Sequence, residues 1–205
     1  IIFTVEGDDL EGSVPWQTRG LWGGLIILGN APVNSPSGES FIEGIPISEP
    51  RGIYGGNFED DNSGILEYIS IRHGGTNIGE GNEINGLTLG GVGRKTIVNH
   101  IEIISNSDDG LEVFGGNVNL SNIAVGFCGD DAFDFDEGYR GKCQFLLGIL
   151  DDETGDNLAE HTGNPYGSTP DFFSRPIIYN ATFAGDLEGH DNFLVACEQG
   201  SGAVY

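Results

Sequence analysis

The chain has 205 residues, of which 35 are glycine and 38% are hydrophobic, and a formal net charge of −24 at pH 7. Ile, Leu, Val and Phe spread over this length supply one cored domain and argue against disorder, and the lack of a Gly-X-Y period excludes collagen. The charge repels nucleic-acid phosphates and anionic membranes, and it suits either a solvated surface in a salty medium or the uptake of divalent cations.

In chain order, Ile1-Ile2-Phe3-Thr4-Val5 reads as a strand already under way, and Leu25-Ile26-Ile27-Leu28 begins another turn of structure. Tyr68-Ile69-Ser70-Ile71 resembles the first strand of a repeat whose next copy is His100-Ile101-Glu102-Ile103, so a loop near Thr76–Glu83 must bulge out. From there the period is 22: Ile101, Ile123 and Phe145 form one series, and Ile103, Val125 and Leu147 another. Each series alternates apolar with variable residues, as a strand with one buried face does. A second strand follows in each repeat, with Asn85-Gly86-Leu87-Thr88-Leu89, Gly110-Leu111-Glu112-Val113 and Ala132-Phe133-Asp134-Phe135 in one slot. Gly155–Phe173 breaks the pattern with Asn157, His161, Gly163, Pro165 and Pro170 and is expected as an inserted side loop. Pro176–Phe183 resumes the pattern, and Gly202-Ala203-Val204-Tyr205 ends it on another strand-like run.

Two short strands per period, separated by Gly, Asn and Asp and without helical periodicity, favour a parallel β-helix over a leucine-rich repeat. The expected fold is all-β: a right-handed parallel β-helix of ~22-residue coils stacked at roughly 4.8 Å, forming a single domain over residues 1–205. The strand-like ends lead to the expectation that the sequence is a fragment of a longer chain, with coil ends open to self-association. No signal peptide or membrane-spanning apolar run is visible. Cys128, Cys143 and Cys197 are an odd number without a C-x-x-C, and they read as small buried residues rather than a disulfide framework.

Applying the same 22-residue shift to the acidic residues takes Asp108 to Asp130 and Asp152, Asp109 to Asp131 and Glu153, and Glu112 to Asp134 and Asp156. Like charges about 5 Å apart repel by roughly 1 kcal/mol in water and about 3 kcal/mol at an effective dielectric of 20. Bound cations, raised pKa values with shared protons, and side chains that splay into water are the open remedies, beside the plainer reading that Asp-Asp and Asp-Gly pairs simply build turns without a metal. Calcium accepts six to eight oxygens in irregular geometry, and the candidate ligands are Asp108, Asp109, Glu112, Asp130, Asp131, Asp134 and Asp136. The run Gly129–Gly138 is not an EF-hand loop. A carbohydrate-cleaving alternative would use Asp109, Asp131 and Asp134 with a base such as Lys142; the plainer expectation for Arg140 and Lys142 is that they instead just neutralise the acidic rows. Gly189-His190-Asp191 is a loose echo of a polygalacturonase element, and its Arg-Ile-Lys partner is missing. His73, His100, His161 and His190 lack zinc-site spacing.

The stretches Arg19–Pro32, Ile42-Glu43-Gly44, Tyr68–Gly75, Asn85–Gly93, Asp108-Asp109-Gly110, Phe114-Gly115-Gly116 and Gly129-Asp130-Asp131 together resemble a group of bacterial β-helix surface proteins. These are lipoproteins or secreted proteins, often exported by a type IX pathway. The likeness runs from about Ile1 to Ala184. It implies a pectate-lyase-like fold and an extracellular or cell-surface location, and no established activity or catalytic residues. The expectation is a non-enzymatic module for adhesion, glycan binding or scaffolding whose acidic face binds calcium, with polysaccharide or other surface proteins as partners. The alternatives are a polysaccharide lyase or hydrolase and a structural protein polymerising end to end.

Overall fold

A short strand with one apolar face cannot bury that face alone; stacking successive coils does so. The computed structural model describes residues 1–79, 82–164, 172–185 and 193–203. Among these, strands are joined by turns and loops, and the one helical element is a 3-10 turn at Pro50–Gly52. No helix there is long and apolar enough to cross a membrane.

Two parallel sheets wrap one interior. The first stacks β1 (Ile2–Phe3), β5 (Ile65–Arg72), β7 (Ile97–Ile104), β9 (Asn119–Gly126), β11 (Lys142–Ile149) and β13 (Ile177–Ala184) in that order. The second stacks β2 (Leu25–Leu28), β6 (Leu87–Gly90), β8 (Leu111–Phe114), β10 (Phe133–Asp136), β12 (Glu160–Thr162) and β14 (Ala196–Glu198). Each coil gives one strand to each sheet, which is the parallel β-helix expected from the period.

Inward side chains form columns one winding apart. Leu25, Leu87, Leu111 and Phe133 share one column of the second sheet, and Ile27, Leu89, Val113, Phe135 and His161 share the next. Phe135 stacks on Tyr139 at 5.3 Å and on His161 at 5.2 Å. Burial pushes the His161 imidazole down to about 4, so it sits in the core as a neutral ring. The residue expected in a side loop is therefore a core position, and β12 lies inside the segment 155–173. Its Asn, His and Gly content hid a strand of only three residues. Positions 165–171 of that segment, with Pro165 and Pro170, lie outside the described residues, as do His190 and Asp191.

In the first sheet the 22-residue register slips by one residue between β9 and β11. Ile123 pairs with Leu146, not with Phe145, and Val125 pairs with Gly148, not with Leu147. The turn from β10 to β11 spans five residues, 137–141, where the preceding one spans four, 115–118. Leu146 takes the buried place at 2% exposure and Phe145 is left 50% exposed.

Phe145 belongs to another column, at a bulge in the middle of the first sheet. Tyr68, His100, Asn122, Phe145 and Asn180 all have φ between 54° and 60°. One left-handed residue per strand lets two consecutive side chains face outward before the inward alternation resumes. Tyr68 and His100 stack there at 4.6 Å.

Residues 30–60 leave the coil and return. Their hairpin of β3 (Glu39–Phe41) and β4 (Ile53–Gly55) is antiparallel. Val33, Ile42 and Tyr54 pack with Ile26, Leu28 and Phe114 on the outer face of the second sheet. A Cβ on Gly90 would meet the Tyr54 ring at 2.8 Å, so the close approach requires glycine. The Tyr54 hydroxyl and Ser40 Oγ donate to the two oxygens of Glu137 at 2.9 and 3.0 Å. Cys128 and Cys143 are buried free thiols and Cys197 is exposed.

Two stability predictions follow from the columns. Phe135→Ala removes the shared stacking partner of Tyr139 and His161 and should cost about 3–5 kcal/mol in urea unfolding. Phe145→Asn places at that bulge the residue already present at Asn122 and Asn180, and should stabilise by roughly 0.5–1 kcal/mol. A lowered urea midpoint for Phe145→Asn would show that the bulge exacts no strain from phenylalanine.

Candidate functional site: an acidic trough on the second sheet

Outward positions of the second sheet form a polar column, Thr88, Glu112, Asp134 and Glu160, in register on β6, β8, β10 and β12. The turns leading into β8 and β10 add Asp108 with Asp109, and Asp130 with Asp131. Glu43 from the 30–60 excursion and Asn82, Glu83 and Asn85 from the loop before β6 close the other sides. The result is a trough of about 300 Å³, with Asp156 also on its rim. Among the described residues, no lysine or arginine lines it.

The inner carboxylates hold the coils together as well as facing the trough. Asp131 N–H donates to Asp109 Oδ1 at 2.9 Å, and Asn157 N–H donates to Asp131 Oδ1 at 2.6 Å. Asn106 Nδ2 braces the first of these turns through the carbonyls of Ile84 and Asp109, at 2.8 and 2.9 Å. Asn85 Nδ2 donates to Glu112 and, at 3.2 Å, to Glu43. Among the described residues, Asp134 Oδ1 is buried without a hydrogen-bond partner, and so is Asn85 Oδ1.

Four overlapping triads bring carboxylate oxygens within 4.8 Å of one another: Asp108, Asp109 and Asp130; Asp109, Glu112 and Asp134; Asp130, Asp131 and Asp156; and Asp131, Asp134 and Glu160. Asp109, Glu112 and Asp134 are only 6%, 5% and 9% exposed. Burial first, and then the charge of their neighbours, pushes these three well above the ordinary carboxylate range. The same causes raise Asp131 to about 8, and burial with the charges of Glu43, Asp130 and Glu83 raises Asp108 to about 6.

Six of the seven residues singled out as ligands from the sequence meet in these triads. Asp136 does not: it lies one pleat along β10, beside Thr162 and Glu137, where burial raises it to about 7. The third row of the spacing argument is corrected. Asp134 pairs with Glu160, 26 residues on, and Asn157 rather than Glu153 follows Asp131. Asp152 and Glu153 do not line the trough. Lys142 begins β11 in the other sheet and is exposed, and Arg140 lies over the Phe172 ring at 4.6 Å; neither reaches the acidic wall. Glu43, Glu83, Asn85 and Glu160 were not visible from a fixed period. Glu160 needed the four-residue lengthening of its coil to be recognised, and Glu43 arrives from an excursion that carries no repeat.

Residues 12–204 match the model of the pectate-lyase-like β-helix domain. The chain belongs to that family of parallel β-helix proteins. No curated protein and no solved structure is significantly similar to it.

The raised carboxylates fix the sign of a pH effect. A group whose folded pKa lies above its unfolded value of about 4 stabilises the fold at low pH and loses that contribution as pH rises through the folded pKa. In chelator, the thermal midpoint should therefore fall between about pH 4 and about pH 8, the window set by Asp108 at about 6 and Asp131 at about 8. A midpoint that climbs over this range would show that the trough carboxylates ionise without mutual cost.

Proposed function

We propose that the chain is a non-catalytic β-helix module of the extracellular space or cell surface, and that its acidic trough takes up calcium. The module serves adhesion, glycan binding or scaffolding, and the ion locks adjacent coils together. The observation that supports this most directly is the buried triad Asp109, Glu112 and Asp134, in which Asp134 Oδ1 has no hydrogen-bond partner among the described residues. A desolvated carboxylate oxygen without a donor costs free energy unless a proton or a cation supplies the missing partner. The triads offer oxygen ligands only, a hard set, and calcium accepts six to eight oxygens in flexible geometry where magnesium demands a near-ideal octahedron. The family membership, the fold and the charge of −24 support the location. The carbohydrate-cleaving alternative is weaker, because Lys142, its one nominated base, lies on the other sheet.

Calcium at a hundredfold excess over its Kd adds about 2.7 kcal/mol to stability, so differential scanning calorimetry should show a rise of roughly 5–10 °C over the chelated protein. Asp134→Asn separates the ion from the repulsion. In chelator it should raise the midpoint by removing a buried charge, and in calcium it should lower the midpoint by removing a ligand. An identical shift in both conditions would remove calcium from the account.

A further inference from the structure

A second concave site lies away from the trough, where residues 8–16 pass beside β5 and β7 of the first sheet. It encloses about 330 Å³, within the roughly 300–1,000 Å³ usual for small-molecule sites. Its aromatic wall is Trp16, 48% exposed although its neighbourhood is fixed. The Trp16 carbonyl accepts from Ser105 Oγ, and the indole meets the Phe127 ring edge-on at 4.7 Å and 61°. Its polar wall is equally rigid. Arg72 Nε donates to Ser70 Oγ at 2.8 Å and Arg72 Nη2 to Glu102 Oε2 at 3.0 Å. The ion pair is only partly buried, with the Arg72 and Glu102 side chains 30% and 43% exposed, so a guanidinium and a carboxylate face the cleft together. Asp8 adds a second carboxylate, held by Thr4 Oγ1 at 2.7 Å and by the N–H of Leu10 at 2.9 Å.

We infer that this cleft is a binding subsite for a neutral saccharide ring. A pyranose has an apolar C–H face that an indole covers, and neighbouring hydroxyls that each donate and accept. A guanidinium N–H beside carboxylate oxygens matches such a diol. Two carboxylates against one guanidinium disfavour uronates, sulfated sugars and phosphates. The salt-bridged Arg72 sets the site apart from a cage for a bare cation. Glycan binding is one of the roles proposed above, and this inference supplies its location; it requires no calcium in the trough.

The test is titration of the purified chain with neutral oligosaccharides of glucose, mannose, galactose and xylose, in calcium and in chelator, followed by tryptophan fluorescence and calorimetry. At least one series should bind in both buffers. Trp16→Ala should weaken that binding at least about tenfold and Trp16→Phe should restore most of it. Asp8→Asn should weaken it several-fold with an unchanged thermal midpoint, which separates loss of a contact from loss of the fold. Three outcomes overturn the inference: no neutral series binds, Trp16→Ala binds as well as the native chain, or tetramethylammonium or galacturonate oligomers bind in place of the neutral sugars. Calcium uptake without sugar binding would sink this site and leave the trough standing. Sugar binding without calcium uptake would do the reverse.

Discussion

The structure depends on one constraint: each strand residue of the two parallel sheets lies in register with a residue one winding away, so side chains at equivalent positions are held against one another along the stack. For apolar positions the constraint is favourable. Leu87, Leu111 and Phe133 exclude water from one another, and the Phe135 ring finds a flat partner in His161 of the next coil. For charged positions the same register is costly. Glu112, Asp134 and Glu160 stand in one outward column, with Asp109 and Asp131 beside it. The strands that carry them cannot spread apart, because the sheet spacing is set by backbone hydrogen bonds.

Two devices relieve part of that cost within the protein. Backbone N–H groups of the following coil bind Asp109 and Asp131, so these carboxylates act as rivets between windings. Asn85 offers its amide hydrogens to Glu112 and Glu43. Neither device reaches Asp134 Oδ1. The residual demand for positive charge is thus concentrated at the centre of the column, where the neighbours above and below are also carboxylates.

The repeat was legible wherever coils keep constant length, and it failed where they do not. Between β7 and β10 the 22-residue shift places every strand correctly, and Asp108, Asp109, Asp130 and Asp131 are found together. One extra residue in the turn 137–141 exchanges Phe145 for Leu146, and four more before β12 exchange Asp156 for Glu160 as the partner of Asp134. Exposure does not explain the extra residue, because in the turn 137–141 only Arg140 is exposed and Tyr139 is packed in the core. The strand register is held by backbone pairing and by the buried face, whereas a turn need only return the chain to that register. The excursion 30–60 was illegible for a different reason. Its hairpin makes no repeat, and its residues Ile42 and Tyr54 are placed by packing against the outside of a sheet that the period describes only from within.

That excursion connects fold and site. By covering Ile26, Leu28 and Phe114 it dries one end of the outer face, and by bringing Glu43 to Asn85 it walls the trough. Burial, rather than charge count, is the first cause of the raised carboxylates at Asp109, Glu112 and Asp134. An open sheet bearing the same acidic rows would leave them hydrated and ionised at little cost. The excursion, through Glu43, and the loop before β6, through Asn82, Glu83 and Asn85, thus wall a repetitive acidic surface into a desolvated trough. Through Tyr54 and Ser40 on Glu137, at the end of β10, the hairpin is also tied to the coil that carries Asp134.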